Sequence, residues 1–399
     1  MEFGDDPLAK TCTCFDCWSG ESCSIRLADD DPACMVQAGS GTPYLFEEYW
    51  IEHPEPVLEV LPSYHIGYGD HLPRLERAIR ELHRLVGNAV VDGKYMVIGI
   101  GSTELISAAM YALAPRGGNG SKALVWSRTP YYSGYEPSGR FYRTNAFGWG
   151  ADAPATPQAS AAQPVIELVT SPNNPDGHIR APSVAAGEYT RYVMDHAYYW
   201  PHFTALNGPV SYGNDTLALF TLSKMTGHAS TRVGWALTPD KEVAQRLAEF
   251  VHVATFGAPR ESQLRAILLL EHVNQHIAEV FDFARGRMLG RWDRLEGIFA
   301  AAGATAPFRL EPRDPPSADT FSGVREYEAS PAYAWIELTD ASLFNGSALT
   351  AMESVGIAGR GGSSYGETDD RHVRLELLMR EQTFEILCRK LEKLVGAAS

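Results

Sequence analysis

The sequence predicts an α/β fold with a large, mostly parallel sheet domain and a smaller α+β domain at the C-terminal end. Three observations lead to this prediction. Short apolar runs recur without polar alternation, a glycine turn and a helical pattern follow the first of them, and the last third of the chain mixes strand and helix patterns. Strands buried on both faces of a parallel sheet have such unbroken apolar runs. With 399 residues, the chain is long enough for two or three domains.

The chain begins with a Cys-rich head. Five of the six cysteines lie there, at Cys12, Cys14, Cys17, Cys23 and Cys34. The close spacing in CTCFDCWSGESC is typical of disulfide-bonded modules of oxidising compartments, and no CxxC pair recurs at a distance that suits zinc. We therefore predict disulfides and no metal site. The odd number of cysteines suggests a partner cysteine upstream of this sequence, and with it a targeting segment.

An irregular arm and a helix follow the head. The stretch around LFEEYW and SYHIGYGD carries aromatic residues and prolines without a regular period. From about residue 75, ERAIRELHRLVG has apolar residues three and four apart, which is the pattern of an amphipathic helix. The next stretch, KYMVIGIGSTELISAAMYAL, predicts a short strand, a glycine turn and a helix.

Further apolar runs predict the other strands of the larger sheet. They are ALVW (123–126), VIELV (165–169), YVM (192–194), LALFTL (217–222) and VGWAL (233–237). Between them, residues 150–164 are rich in Pro and Ala and predict a loop. A helical pattern covers about 240–295, and after it AYAWIEL, HVRLELL and EQTFEILCRKLEKLVG predict two strands and a final helix.

The composition excludes some classes of partner. The chain is 45% hydrophobic and 21% charged, and its formal net charge is −15. A negative balance of this size argues against general binding to nucleic acid or anionic membranes, because both are polyanions. No apolar run approaches the roughly 20 residues that a membrane span needs. We therefore predict no nucleic-acid partner and no membrane span.

Polar residues follow the predicted strands at the point where each ends. In open α/β sheets, ligands bind beyond the carboxyl ends of the strands, so these residues are expected to share one crevice. In chain order they are Ser102 and Thr103, Tyr131 and Tyr132, Asn174 in SPNNPDG, Asp195 with Tyr198, and Ser223 with Lys224, and Arg232 follows eight residues later. Each alone is an ordinary turn, cap or surface residue, but their order and spacing together point to one site.

Each of these residue types has a use around pyridoxal 5'-phosphate (PLP). A lysine amine forms a Schiff base with an aldehyde, and a carboxylate keeps the pyridine nitrogen protonated. An amide or phenol can bond the ring oxygen, and an aromatic ring can stack on the pyridine. Hydroxyls at a helix N-terminus and a guanidinium can hold a phosphate. The sequence therefore predicts a PLP site, with Lys224 as the anchor.

The same residues resemble the fold type I PLP-dependent transferases, the aspartate-aminotransferase-like superfamily. The turn Asn-Pro-Asp-Gly, the Asp-x-x-Tyr and the Ser-Lys with an Arg eight residues on occur there in this order. More narrowly, VTSPNNPDG, TLSKMTGHASTRVGWAL and LFEEYW resemble the alliinase and tryptophan aminotransferase family, from about residue 12 to the end. The head CTCFDCWSGESCS resembles the EGF-like module that precedes the alliinase catalytic domain, without its first part.

The resemblance implies a division of the chain and a role for most site residues. The expected divisions are a partial EGF-like module (1–35), an N-terminal arm that is part of the small domain (36–75), a large PLP-binding α/β domain (76–290) and a small C-terminal α+β domain (291–399). In the cofactor site, Lys224 is the Schiff-base lysine, Asp195 the pyridinium partner, Asn174 with Tyr198 the ring-oxygen ligands, and Ser102, Thr103, Ser223 and Arg232 the phosphate ligands.

Three further roles follow from the resemblance. Tyr131 is expected to stack on the cofactor ring, with Tyr132 as the alternative. Tyr68 resembles a tyrosine that reaches the phosphate in the neighbouring subunit, which implies a homodimer. Arg374 is expected to bind the α-carboxylate of the substrate, ahead of Arg360 and Arg371, with Asn174 also near the substrate.

Two reactions are open at this stage. Both begin with transfer of the substrate amine to the cofactor and removal of the Cα proton by Lys224. We favour an aminotransferase that acts on tryptophan or a related L-amino acid with a 2-oxo acid, because NNPDG and TGHA look more like that branch. The alternative is a C–S lyase that cleaves S-alkyl-L-cysteine sulfoxides to pyruvate, ammonia and a sulfenic acid. A catalytically dead binding protein is disfavoured by the intact set Lys224, Asp195, Asn174 and Arg232.

The compartment is not determined by the sequence. The Cys-rich head suggests a secretory or vacuolar route if a targeting segment precedes this sequence, and a cytoplasmic location otherwise.

Overall fold

The structure is a computed structural model, and its described residues are 14, 16–20, 23–53, 71–115, 121–150, 155–303 and 306–397. Among the helices in these ranges, none has both the length and the apolar composition that crossing a bilayer requires. The described residues also contain no group of His, Cys, Asp and Glu side chains that could hold a metal ion.

Disulfides organise the described part of the head. One joins Cys14 to Cys23 and another joins Cys17 to Cys34. The prediction that the head is disulfide-bonded therefore agrees with the structure, and Cys12 lies outside the described residues. The linked segments are short, so each disulfide restricts a loop that has little core of its own.

The head packs on the C-terminal helix. A hairpin of β1 (Trp18–Ser19) and β2 (Ile25–Arg26) lies inside the disulfide loops. Just after it, Asp29 accepts a hydrogen bond from Arg389 at 2.5 Å, and its backbone carbonyl accepts one from Lys390 Nζ at 2.7 Å. The head is thereby held against the last helix of the chain.

The larger sheet contains seven strands among the described residues, in the order β4-β10-β9-β8-β7-β5-β6. After the short β3 (Val36–Gln37), these strands are β4 (Tyr95–Gly99), β5 (Ala123–Trp126), β6 (Phe147–Trp149), β7 (Val165–Thr170), β8 (Thr190–Asp195), β9 (Thr216–Thr221) and β10 (Gly234–Thr238). Only β10 among them runs antiparallel to its neighbours, which are β4 and β9. The carboxyl ends of the other strands therefore share one edge.

Helices cover both faces of this sheet. In chain order they and the remaining helices are α1 (Glu47–Glu52), α2 (Pro73–Val86), α3 (Gly101–Leu113), α4 (Tyr135–Phe141), α5 (Leu222–Met225), α6 (Lys241–Thr255), α7 (Arg260–Gln275), α8 (Ile277–Ala302), α9 (Ala348–Ser354) and α10 (Glu381–Ala397). Strand β9 shows the two-sided burial, because Leu217 and Leu219 pack with α3 and α6, whereas Phe220 packs with α2 and α7. All six residues of β9 are buried, which explains its unbroken apolar run.

Local sequence sets the ends of several helices. Pro73 occupies the first turn of α2, and Gly87 ends that helix with φ at +72°. Asp240 caps α6 by accepting hydrogen bonds from the backbone N–H groups of Glu242 and Val243. The sequence predicted one helical pattern over about 240–295, and the structure divides this stretch into the three helices α6, α7 and α8. The structure also contains the short strand β6, which the sequence did not predict.

The smaller sheet has four strands in the described C-terminal region, in the order β11-β12-β15-β14, all antiparallel. These strands and the separate β13 are β11 (Phe308–Leu310), β12 (Tyr333–Leu338), β13 (Ile357–Ala358), β14 (Arg360–Gly361) and β15 (His372–Glu376). The arm joins this region, because β3 pairs with β13. The domain boundary proposed at residue 290 lies within the continuous helix α8.

Arg291 joins α8 to the start of α10. Its guanidinium is buried and donates to the Leu377 carbonyl at 2.6 Å and to Glu381 at 2.8 Å, and it lies 5.0 Å from the ring centre of Phe384. Three residues further on the same helix, Arg294 makes an exposed ion pair with Glu392 at 2.6 Å. Both arginines lie on α8 and pair with a glutamate of α10, but Arg291 is buried and Arg294 is exposed, so substitutions at the two positions can be compared directly.

We expect Arg291→Met to lower the free energy of unfolding by roughly 3 kcal/mol, because it leaves the buried Leu377 carbonyl without its donor and Glu381 with only its longer hydrogen bond from Arg287. Arg294→Met should cost less than about 1 kcal/mol, as exposed ion pairs do. Urea unfolding of both variants and the parent, followed by fluorescence and circular dichroism, measures the difference. Equal shifts of the two midpoints would contradict this account of Arg291.

Candidate active site

A cavity of about 330 Å³ lies at the carboxyl edge of the larger sheet, facing the smaller one. Most residues that the sequence predicted for the site line it. They are Ser102, Thr103, Asn174, Asp195, Tyr198, Ser223, Lys224, Arg232 and Arg374. Tyr68 lies outside the described residues. Five strand ends and the smaller sheet thus contribute to one site.

Lys224 sits where β9 ends and the single-turn helix α5 begins. Thr221 caps this turn, because its hydroxyl accepts a hydrogen bond from the Ser223 backbone N–H. The Lys224 amine donates to the carbonyl of Gly41, in the N-terminal arm. A Cβ at Gly41, whose φ is +150°, would lie 2.7 Å from Tyr333 Oη and 3.5 Å from Lys224 Nζ. Only glycine therefore lets the arm approach the lysine this closely.

Asp195 is a buried carboxyl at the last position of β8. It accepts hydrogen bonds from the Ala197 backbone N–H and from the Tyr135 hydroxyl, both at 3.1 Å. Burial raises its pKa to about 6, and these two hydrogen bonds oppose the rise. Within the described part of the chain it makes no ion pair, so a cation such as a protonated ring nitrogen would suit this position.

Glycine and arginine shape an anion cradle at the N-terminus of α3. Gly101 has φ at +69°, and a Cβ there would lie 2.5 Å from Arg232 Nη2, so the guanidinium packs directly on the turn. Arg232 itself has the left-handed φ of +55°, an uncommon conformation for arginine that is typical of functional sites. Ser102, Thr103 and Ser223 line the same end of the cavity. The arrangement fits a phosphate group.

A chain of hydrogen bonds runs across the cavity from Arg374 to Tyr333. Arg374 Nη1 donates to Asn174 Oδ1 at 2.9 Å, and Asn174 Nδ2 donates to the Tyr198 hydroxyl at 3.4 Å. The hydroxyls of Tyr198 and Tyr333 share a hydrogen bond of 2.7 Å. Burial, and then the neighbouring Tyr333, raise the pKa of Tyr198 well above its usual value. Tyr198 is therefore a neutral phenol that can bond a ring oxygen.

Arg374 is a buried guanidinium with no carboxylate partner among the described residues. Its Nη2 donates to the carbonyls of Gly39 and Ser40, at 2.8 and 2.6 Å, and its Cζ lies 4.0 Å from the ring centre of Tyr333. Its Nε has no hydrogen-bond partner in the described ranges of the chain. A buried donor without a partner, next to neutral acceptors, is a position that suits a carboxylate.

The structure separates the two candidates for the stacking ring. Tyr132 lines the cavity. Tyr131 lines a different cleft, its ring packs edge-on against Trp149 at 5.1 Å, and its hydroxyl donates to Glu136 at 3.3 Å. Consecutive residues after a strand point in different directions, so only one of them can face the cofactor site. We therefore replace Tyr131 by Tyr132 as the candidate for the stacking role.

Several lining residues had no strong signal in the sequence. Among them are Ser40, Gly41, Tyr132, Ser133, Thr170, Thr221, Tyr333 and Arg360. Tyr333 looks like any apolar strand residue in AYAWIEL, and the arm residues follow no predicted strand. Arg360 was the weaker candidate for the α-carboxylate and does line the cavity, whereas Arg371 lies outside it and donates to Glu337 at 3.3 Å.

Comparison with known proteins identifies the family. The model of the alliinase family (Alliinase_C, described as Allinase) matches residues 36–395. Tryptophan aminotransferase-related protein 3 of Arabidopsis thaliana is 35% identical over 398 residues, which is 97% of this chain and 83% of that protein. Alliin lyase 1 of Allium sativum is 28% identical over 411 residues, covering 97% of this chain and 79% of that protein.

A solved structure supports the fold. Aspartate aminotransferase from Thermus thermophilus with maleate superposes with a TM-score of 0.61 at 18% identity, over 90% of this chain and 91% of that chain. Enzymes of the alliinase family and of this fold depend on PLP. The residues of the cavity fit that cofactor. Asp195 is a carboxyl without a cationic partner among the described residues, Ser102, Thr103, Ser223 and Arg232 form an anion cradle, and Lys224 lines the same cavity. The chain belongs to the alliinase family and has the fold of the type I PLP-dependent enzymes.

Proposed function

We propose that the protein is an aminotransferase that moves the amino group of tryptophan or a related aromatic L-amino acid to a 2-oxo acid. The observation that carries this proposal is the meeting of Lys224, Asp195 and Arg374 in one cavity. Relatives named tryptophan aminotransferase-related proteins are 33–36% identical to this chain, compared with 28% for the alliin lyases. The phenol rings of Tyr132, Tyr198 and Tyr333 offer aromatic contacts for such a substrate.

The cofactor would be held at three points. Asp195 would hold the protonated ring nitrogen, Asn174 and Tyr198 would bond the ring oxygen, and Tyr132 would stack on the ring. Ser102, Thr103, Ser223 and Arg232 would hold the phosphate. Bound PLP supplies an aldehyde that takes up the amino group and a ring that accepts electrons from Cα.

The chain's own groups would then bind the substrate and move its proton. Arg374 would bind the α-carboxylate, which orients the Cα–H bond toward Lys224. The Lys224 amine would remove the proton from Cα, acting as the general base. The Lys224 amine would leave the Gly41 carbonyl when it takes up the cofactor aldehyde. Arg374 would leave the Gly39 and Ser40 carbonyls, which now accept its hydrogen bonds, when it binds the substrate carboxylate.

We also propose a homodimer in which Tyr68 reaches the neighbouring site, and an oxidising compartment for the disulfide-bonded head. The first rests on the family resemblance of HIGYGD, and the second on the disulfides Cys14–Cys23 and Cys17–Cys34. The division into a large PLP-binding domain and a small domain is likewise proposed, and the two separate sheets support it.

A substrate series tests the reaction. We expect tryptophan or phenylalanine to bleach the visible absorption of the PLP-loaded protein, a 2-oxo acid to restore it, and no pyruvate to form. Release of pyruvate and ammonia from an S-alkyl-L-cysteine sulfoxide, without an amino acceptor, would establish the C–S lyase instead. Absence of any cofactor absorption after PLP is added would contradict both reactions.

Lys224→Ala should abolish covalent attachment of the cofactor. Borohydride treatment of the PLP-loaded parent should leave the phosphopyridoxyl mass on the peptide that contains Lys224, and the variant should carry none. Lys94→Ala is a matched control, because Lys94 Nζ donates to the Tyr212 carbonyl away from the cavity. Labelling of the variant at the parent's level would refute the assignment of Lys224.

The charge of Asp195 should make cofactor binding depend on pH. In the cofactor-free protein its pKa is raised to about 6, so the carboxyl becomes neutral as the pH falls below that value and can no longer hold a ring cation. We expect protonation of this carboxyl to lower the affinity for PLP by up to about tenfold between pH 7 and 5. Asp195→Asn should bind PLP weakly and lose this component of the pH dependence, whereas Asp293→Asn, an exposed change on α8, should behave as the parent does. An unchanged pH profile in Asp195→Asn would argue against a titrating partner at this position.

A further inference from the structure

Two arginines lie opposite each other on neighbouring strands of the smaller sheet. Arg360 on β14 pairs directly with Arg374 on β15. Residues opposite each other on antiparallel strands have side chains on the same face, with Cβ atoms about 5 Å apart. Both side chains line the active-site cavity. Like charges in this position destabilise a sheet unless an anion lies between or beside them.

The described residues do not supply that anion. No Asp or Glu oxygen of the residues that the structure describes forms an ion pair with either guanidinium within 4.0 Å. Arg360 donates to the neutral Ser133 hydroxyl at 3.1 Å, and Arg374 donates to an amide and two carbonyls. The nearest carboxyl along β15 is Glu376, and one of its oxygens accepts a hydrogen bond from Ser40 at 3.0 Å.

The two arginines lie at different depths. Arg374 is 3% exposed and lies at the base of the cavity, whereas Arg360 is exposed at its mouth. Burial raises the pKa of the phenols of Tyr132 and Tyr365, and both guanidiniums oppose that rise, so both positive charges lie near these two rings, of which Tyr132 lines the cavity. A ligand with two separated negative groups would satisfy the pair.

On the basis of the proposed aminotransferase function, we propose that Arg360 binds the distal carboxylate of a dicarboxylic substrate while Arg374 binds its α-carboxylate. The substrate class is a 2-oxo dicarboxylic acid as amino acceptor, together with the amino dicarboxylic acid that it becomes. The acceptor exchanges its 2-oxo oxygen for the amino group and keeps both carboxylates. When an aromatic donor occupies the cavity instead, the exposed guanidinium of Arg360 can lie over its ring.

Binding and turnover of the PLP-loaded protein test this inference. Glutarate and butyrate are inert probes with two carboxylates and one, and 2-oxoglutarate and 2-oxobutyrate are the matching acceptors. We expect the parent to bind glutarate more tightly than butyrate. Arg360→Gln should weaken glutarate binding and lower kcat/KM for 2-oxoglutarate by about ten- to hundredfold, because one charge-assisted pair is lost. The same variant should change the values for butyrate and 2-oxobutyrate less than about twofold, and Arg360→Lys should recover part of the loss.

Arg371→Gln is the matched control, because it removes one positive charge from the same sheet outside the cavity. Equal losses for one- and two-carboxylate probes in Arg360→Gln would mean that both arginines bind a single carboxylate, and would overturn the inference. No change, or a loss matched by Arg371→Gln, would also overturn it. Arg360-dependent glutarate binding without any transamination would support the dicarboxylate site and reject the aminotransferase, so the two proposals fail separately.

Discussion

The parallel course of β4, β5, β7, β8 and β9 is the constraint on which the site depends. Parallel strands end at one edge, so five stretches that are far apart in sequence deliver their polar residues to one cavity. The reversed strand β10 lies between β4 and β9 and leaves this edge intact. Both faces of the sheet are covered by helices, and the rigid, buried strands hold the polar ends at defined positions.

The N-terminal arm couples the two sheets through backbone carbonyls. Those of Gly39 and Ser40 accept hydrogen bonds from Arg374 on the smaller sheet, and that of Gly41 accepts one from Lys224 beyond the larger sheet. In the same arm, the Ser40 hydroxyl donates a hydrogen bond to Glu376 on β15. Burial raises the pKa of the Glu376 carboxyl to about 7. The arm thus supplies neutral backbone acceptors to Arg374 and Lys224, and its residues Ser40, Gly41 and Thr42 line the cavity.

Two buried charged side chains of the cavity have only neutral hydrogen-bond partners among the described residues. Elsewhere in the described chain, buried Arg291 donates to a carboxylate, and Arg180 pairs with Asp176 at 2.5 Å. In the described part of the cavity, Asp195 and Arg374 form hydrogen bonds only with neutral groups, at some cost to stability. The chemistry of a charged cofactor ring and an anionic substrate accounts for that arrangement, because each would complete a pair.

The sequence by itself determined the fold class, the cofactor chemistry and nine of the residues that line the cavity. Unbroken apolar runs mark buried parallel strands, and polar residues at their ends mark the binding edge. Lys224, Asp195, Asn174 and Arg232 are local features of such ends. The tertiary structure alone decided that Tyr132 and not Tyr131 faces the cavity, since the direction of a side chain in a loop depends on packing against Trp149. It alone brought in Tyr333, Gly41 and the Arg360–Arg374 pair. Strand register and the path of the arm depend on tertiary contacts that no local pattern encodes, such as the one between Gly41 and Lys224, 183 positions apart.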